Sequence, residues 1–236
     1  MQQFQETGEK VVYQVGTTYD GCAQIQTPHD PDARYSKKRV QEWVGGKVQV
    51  TETDDENQPH LITDIAATCS SHTDYTALPE IQARLKEHLC LPSKQYADSG
   101  YVSGPNLAHS ARQEIDLIGP AFAVISRQSK IPQGITTEQF IIDLVKGHAI
   151  CPAGHSVQPD FGWTGKVRFR FPDEVCAACA LRSRCCTGKW GRTLCVGTTY
   201  PLLQAARQRQ ATEAFKTDYH KHRSGVEGCL SSLVRG

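Results

Sequence analysis

Hydrophobic and polar positions change rhythm several times along the chain, and each change predicts an element. Residues 1–41 are polar and irregular, punctuated by Gly21, Pro28 and Pro31, and read as a lead-in with a short strand over residues 10–15. From Glu42, apolar residues recur at Trp43, Val44, Val48 and Val50; an acidic turn over residues 54–58 follows, and Leu61, Ile62 and Ile65 resume over residues 60–68. That pattern predicts an antiparallel hairpin. Leu78, Ile81, Leu85 and Leu89 then fall on one face of a helix over residues 74–89. A strand ending at Ala97, a helix over 105–113 and a strand over 115–119 complete the order hairpin, helix, strand, helix, strand, an α/β arrangement.

Pro120 opens a different region. Residues 120–200 carry scattered Pro and Gly, two candidate strands (139–145 and 166–171) and a cysteine cluster, and read as an insertion too poor in apolar residues to fold alone. Regular structure resumes with one long helix over 201–219, marked by Leu202, Leu203, Ala206, Ala211, Ala214 and Phe215. Four parts are expected: an irregular lead-in (1–41), a first α/β part (42–119), a cysteine-rich basic insertion (120–200) and a C-terminal helical part (201–236).

No run of 18 apolar residues occurs, and the first residues lack a basic stretch followed by an apolar one. Neither a membrane span nor a secretory signal is expected, which places the protein in the cytoplasm. In that reducing compartment ten cysteines point to metal ligation or burial rather than disulfides. The net charge of +1 conceals a polarity: residues 1–145 hold 12 Lys+Arg against 19 Asp+Glu, and residues 146–236 hold 14 against 6. An acidic half beside a basic half suits a metal-dependent enzyme acting on a polyanion.

Two acids stand out. Asp98, in Ala97-Asp98-Ser99-Gly100-Tyr101, lies at a predicted strand end, where open α/β sheets place their sites; an Asp-Ser-Gly turn is the alternative. Glu227 lies in Arg223-Ser224-Gly225-Val226-Glu227, on a helix face shared with Tyr219 and Arg223, four residues apart each, and with Arg235. The alternative there is a capping box opening a helix at Ser224. Together with Asp30-Pro31-Asp32-Ala33-Arg34-Tyr35, Glu42-Trp43-Val44-Gly45, Thr51-Glu52-Thr53, Pro59-His60-Leu61-Ile62-Thr63 and Cys151-Pro152, these words follow a recognisable order. The chain resembles bacterial insertion-sequence transposases with a DDE catalytic domain, over nearly its whole length.

The resemblance implies an RNase H-like mixed sheet flanked by helices, lacking its first strand, with a small cysteine-rich, zinc-ribbon-like insertion. It further implies transposon-end DNA as partner, a homodimer in the transposition complex at the nucleoid, and strand cleavage and transfer using two magnesium ions. By motif, Asp98 is the second metal-binding acid and Glu227 the third, with Arg223 and Tyr219 beside them. The signature departs at Tyr219, one residue further from Arg223 than usual, and at Val234, which stands where a basic residue is expected. No Asp follows a suitable strand to serve as the first acid, since Asp20, Asp30 and Asp32 lie in irregular sequence. The chain is therefore expected to be a fragment cut at both ends and inactive, or else a noncatalytic remnant that binds DNA or a transposase.

The second constellation is Cys151, Cys176, Cys179 and Cys185, a set able to close a tetrahedral zinc site, with Cys186 or His155 as substitutes and metal-free cysteines as the alternative. Around it lie Lys166, Arg168, Arg170, Arg182, Arg184, Lys189 and Arg192, which with Arg223 are candidate phosphate contacts, and Trp163 and Trp190 could stack on bases.

Overall fold

The protein is described by a computed structural model covering residues 4–7, 10–13, 25–38, 40–55, 57–161 and 165–235. It is a mixed α/β structure of several small sheets and six α-helices, divided into two units, residues 1–93 with 220–236 and residues 94–219. Among the described residues no helix is long and apolar enough to cross a membrane.

In the first unit, β1 (Phe4–Thr7) and β2 (Lys10–Tyr13) form a hairpin, and β3 (Arg34–Lys38), β4 (Gln41–Glu52) and β5 (Ile62–Cys69) form an antiparallel sheet in that order. The predicted hairpin is thus β4–β5, with Val48 opposite Ala67 and Val50 opposite Ile65. β3 and β1 lie where an irregular lead-in was expected; β3 is strongly charged and lacks the apolar alternation that would have announced it.

The sheet's apolar residues do not all face inward. Val44, Val48 and Ile65 are exposed, whereas Gln49, Asp64 and Ala66 are buried on the face toward α1 (Asp74–Glu87). The helix presents Ala77, Leu78, Ile81 and Leu85 to it. Leu89, expected on that stripe, is 94% exposed and lies at φ 57°, because the helix ends at Glu87 and the chain turns through a left-handed residue.

The buried carboxylate of this sheet has a specific partner. Asp64, 8% exposed, receives Arg84 Nε at 2.7 Å and Nη2 at 2.9 Å, a bidentate pair joining β5 to α1.

In the second unit, β6 (Lys94–Tyr96) and β7 (Asp116–Ile118) are parallel and joined by α2 (Gly104–Arg112), the βαβ connection that the strand–helix–strand pattern predicts. Ser103 caps α2, its hydroxyl accepting from Asn106 N at 3.3 Å. The region read as an insertion contains two three-stranded antiparallel sheets. One holds β8 (Ile141–Asp143), β9 (His148–Ile150) and β10 (Ser156–Val157); the other holds β11 (Pro159–Phe161), β12 (Lys166–Arg170) and β13 (Thr193–Gly197).

These sheets bury Phe140, Ala149, Phe169, Phe171, Leu194 and Val196 in one cluster, with the Phe140 and Phe171 rings 5.6 Å apart. The segment expected to be too poor in apolar residues to fold alone packs here around a few aromatic side chains, each worth about 2 kcal/mol when fully buried. Between β12 and β13 the chain makes two short helices, α3 (Asp173–Ala177) and α4 (Arg182–Cys185).

The single C-terminal helix expected over 201–219 is two, α5 (Tyr200–Gln210) and α6 (Glu213–Arg235). Thr212 breaks them: its hydroxyl accepts from Phe215 N at 3.2 Å, an N-cap that starts α6 afresh.

Replacing Arg84 by Met leaves the Asp64 carboxylate buried without its partner, so urea denaturation should show a loss on the order of 2 kcal/mol. The Asp64→Asn, Arg84→Met double substitution should recover part of it.

Candidate functional site

Asp98 follows β6 directly, at the carboxyl end of a parallel strand. Its carboxylate is exposed and accepts one hydrogen bond, from Ser99 N at 2.7 Å, while Tyr101 N returns to its carbonyl at 3.0 Å. Asp98 thus closes a turn that stands on a strand end, with the side chain in solvent.

Three contacts within the same unit fix this strand end. Ala97 N donates to Ile118 O at 2.8 Å, extending the β6–β7 ladder to the residue before Asp98. Tyr219 Oη, on α6, donates to Ala97 O at 3.2 Å, with its ring stacked on Phe215. Tyr96 Oη donates to Asp218 Oδ2 at 3.0 Å. Gly119 completes the packing, since a Cβ there would collide with the carbonyl of Ala97 and lie 2.8 Å from Val102 Cγ2. Tyr219 thus supports the backbone that carries Asp98.

Arg223 is half-buried on α6. Glu227 lies on the same continuous helix, which runs unbroken through residues 224–227, so the capping-box alternative does not apply. The Glu227 side chain and that of Arg235 lie outside the described residues. Asp30 accepts from Asp32 N at 3.0 Å and Ala33 N at 3.2 Å, locking the turn that leads into the start of β3.

The four cysteines singled out by spacing do converge. Cys151, Cys176, Cys179 and Cys185 line one cavity of about 20 Å³, together with His155, Phe140, Phe171 and Arg192. Cys176 Sγ accepts from Arg192 N at 3.4 Å. Burial pushes the Cys185 thiol up to about 11, with Arg192 opposing and Cys176, Cys186 and Cys151 adding to the rise. Cys186 is buried nearby with its thiol directed to Trp190 O at 2.9 Å. Among the described residues no three Cys, His, Asp or Glu side chains are already placed to hold a metal ion.

The basic residues divide. Lys166, Arg168 and Arg170 alternate along β12, so they share one face of the strand; Arg168 pairs with Asp160 and Arg170 with Asp173 at 3.5 Å. Arg182 Nη2 donates to Gly188 O at 2.8 Å, Arg184 Nη1 to Gln133 Oε1 at 2.9 Å, and Lys189 rests over the Trp190 ring at 5.2 Å. Arg192 does not belong with them: it is only 9% exposed, inside the cysteine cavity, and is withdrawn from the phosphate contacts. Trp190 is exposed, and Trp163 lies outside the described residues.

One cluster carried no sequence signal. In the first unit His222 Nδ1 contacts Asp54 Oδ2 at 2.6 Å, and His60 lies between Asp54 at 3.7 Å and Glu52 at 4.0 Å. Asp54 and His222 are 168 residues apart, so no local spacing could reveal it.

Residues 150–236 match the family model described as Transposase DDE domain. The match covers Cys151, Cys176, Cys179, Cys185, Tyr219, Arg223 and Glu227, and does not extend to Asp98. Searches of curated proteins and of solved structures returned no match.

Burial first and Asp218 second push the Tyr96 phenol up from 10.0 to about 12. Because the folded value is the higher, this stabilisation is complete below about pH 10 and is lost as pH rises through about 12. Ultraviolet titration should show Tyr96 among the tyrosines that ionise late, and Asp218→Asn should bring it only part of the way back, since burial remains.

Proposed function

We propose that the protein is an insertion-sequence transposase part built on an RNase H-like core. In this reading Asp98 and Glu227 are the acids that hold magnesium on DNA phosphates, in the cytoplasm at the nucleoid. The observation that carries it is the strand-end position of Asp98 combined with the family match that includes Glu227. The donor chemistry fits: Asp98 is an exposed carboxylate whose Oδ1 accepts a hydrogen bond from Ser99 N, and hard oxygen ligands suit magnesium. When bound, two such ions activate the attacking water or 3′-hydroxyl and stabilise the leaving oxygen.

The chain's own residues do the rest. Tyr219 and the β6–β7 ladder hold the Asp98 turn in place. Arg223, one helical turn before Glu227, adds a cation near the acid, and Lys166, Arg170, Arg182, Arg184 and Lys189 supply phosphate contacts. In the same reading the segment between β9 and β13 is held by zinc on Cys151, Cys176, Cys179 and Cys185, and two copies of the chain act together on a pair of transposon ends.

A second reading, DNA binding without cleavage, is favoured by the strand acids. Asp64 and Asp116 are each occupied by a bidentate arginine, Arg84 and Arg209, so neither offers an unengaged carboxylate as the first acid. Losing one ligand of a metal pair removes transition-state stabilisation while leaving phosphate contacts intact.

Fluorescence anisotropy on a duplex should therefore show binding that weakens steeply with salt, and exchanging Lys166 and Lys189 for Gln should lower the salt slope by about one per lysine. On the same preparation, magnesium or manganese should produce no nicking. Nicking abolished by Asp98→Ala would show that this polypeptide carries a full set of acids, and absence of binding at low salt would end both readings.

A further inference from the structure

Arg192 is a buried cation without an anion. Its side chain lines the cysteine cavity, Nη1 donates to Cys185 O at 3.2 Å, Nε has no hydrogen-bond partner, and the guanidinium lies 5.7 Å from the centre of the Phe140 ring. Among the described residues no carboxylate pairs with it. Asp173, which accepts from the amide of the residue before Arg192, Gly191 N, at 2.7 Å, is also engaged by Arg170. Arginine cannot shed its proton to escape such a site, and an unpaired buried charge is strongly unfavourable. A compensating negative charge must come from the cavity.

Only the thiols can supply it. Apart from Arg192 and the exposed His155, the titratable groups of the wall are Cys151, Cys176, Cys179 and Cys185. The space among them is small, about 20 Å³. A single soft divalent cation meets both conditions. Four thiols release four protons to solvent and close on one Zn²⁺, giving a centre of net charge −2 that Arg192 reduces to −1. The amide of the same residue already points at Cys176 Sγ at 3.4 Å, as a donor that strengthens when the sulfur becomes a thiolate. Cys151 and Cys179 lie in turns rather than inside regular elements, so the small closure that binding requires falls on backbone able to give it.

We propose that Arg192 is the fixed counter-charge of a tetrathiolate zinc centre, with its guanidinium and its amide both serving the cysteines that line the cavity. The inference rests on the zinc reading given above and names the residue that makes it selective for a thiolate-bound metal. Arg192 is a positioning residue for the metal centre and touches no DNA.

The test uses the full chain, with zinc titrated against a chromophoric chelator for the wild type, Arg192→Met and Arg192→Lys, and thermal melting with and without zinc. The wild type should bind one zinc, Arg192→Met should bind it ~10- to 100-fold more weakly, and Arg192→Lys should stay close to the wild type. Without zinc the sign reverses: Arg192→Met, which removes an uncompensated buried charge, should melt no lower than the wild type. Equal zinc affinity in Arg192→Met and wild type overturns the inference while leaving the zinc site standing. Equal loss in Met and Lys, or an Arg192→Met chain unfolded with and without zinc, also overturns it, because shape rather than charge would then be at work. A wild type that takes up no zinc removes the zinc reading itself, and this inference with it.

Discussion

The second unit depends on how its two C-terminal helices are tied to the ends of β6 and β7. Arg209 of α5 grips Asp116 with both ends of its guanidinium, at 2.7 and 2.9 Å, at the first residue of β7. Asp218 and Tyr219 of α6 take hold of Tyr96 and Ala97 at the other end of β6. A two-stranded parallel sheet is weak by itself, since a few ladder bonds must offset the ordering of its connection. Anchored at both ends, it becomes a platform on which the Asp98 turn is held. The arrangement also explains why Gly119 carries no side chain: the carbonyl that Tyr219 binds occupies the space a Cβ would take.

The cysteine-lined region obeys a different constraint. Its core is a cluster of eight buried residues, and the same Phe140 and Phe171 rings that fill it also form one wall of the cavity. Packing therefore brings residues from β9, α3, α4 and the approach to β13 to one point, leaving a small gap among sulfurs. Arg192 enters that gap from the start of β13, at a position where Gly191 has no room for a Cβ against the carbonyl of Phe171. A charged residue so placed makes the electrostatics of the cavity inseparable from its packing.

Legibility in the sequence followed range. The β4–β5 hairpin, α1, α2 and the two parallel strands could be read because each is announced by alternation or helical spacing over a short window. Strands of two or three residues, such as β9 and β10, carry too few positions to show a period. The facing of the first sheet was not legible either, because Val44 and Val48 obey the alternation while the residues buried against α1 are Gln49, Asp64 and Ala66. At the sites, residue type and spacing identified Asp98 and the cysteines. They could not reveal the Tyr219 contact to Ala97, the pairing of Asp54 with His222 or the burial of Arg192, each set by packing between segments far apart in the chain.

The proposed function stands or falls on whether Asp98 and Glu227 both hold divalent metal. Iron-directed cleavage tests it most directly: ferrous ion is substituted for magnesium, ascorbate and peroxide generate radicals at the bound metal, and the cut sites along the chain are mapped by mass spectrometry. The account predicts backbone cleavage clustered at the turn after β6 and around Glu227, suppressed by excess magnesium and lost at both places in Asp98→Ala. Cleavage confined to one of the two segments, or cuts at both that survive Asp98→Ala, would contradict it.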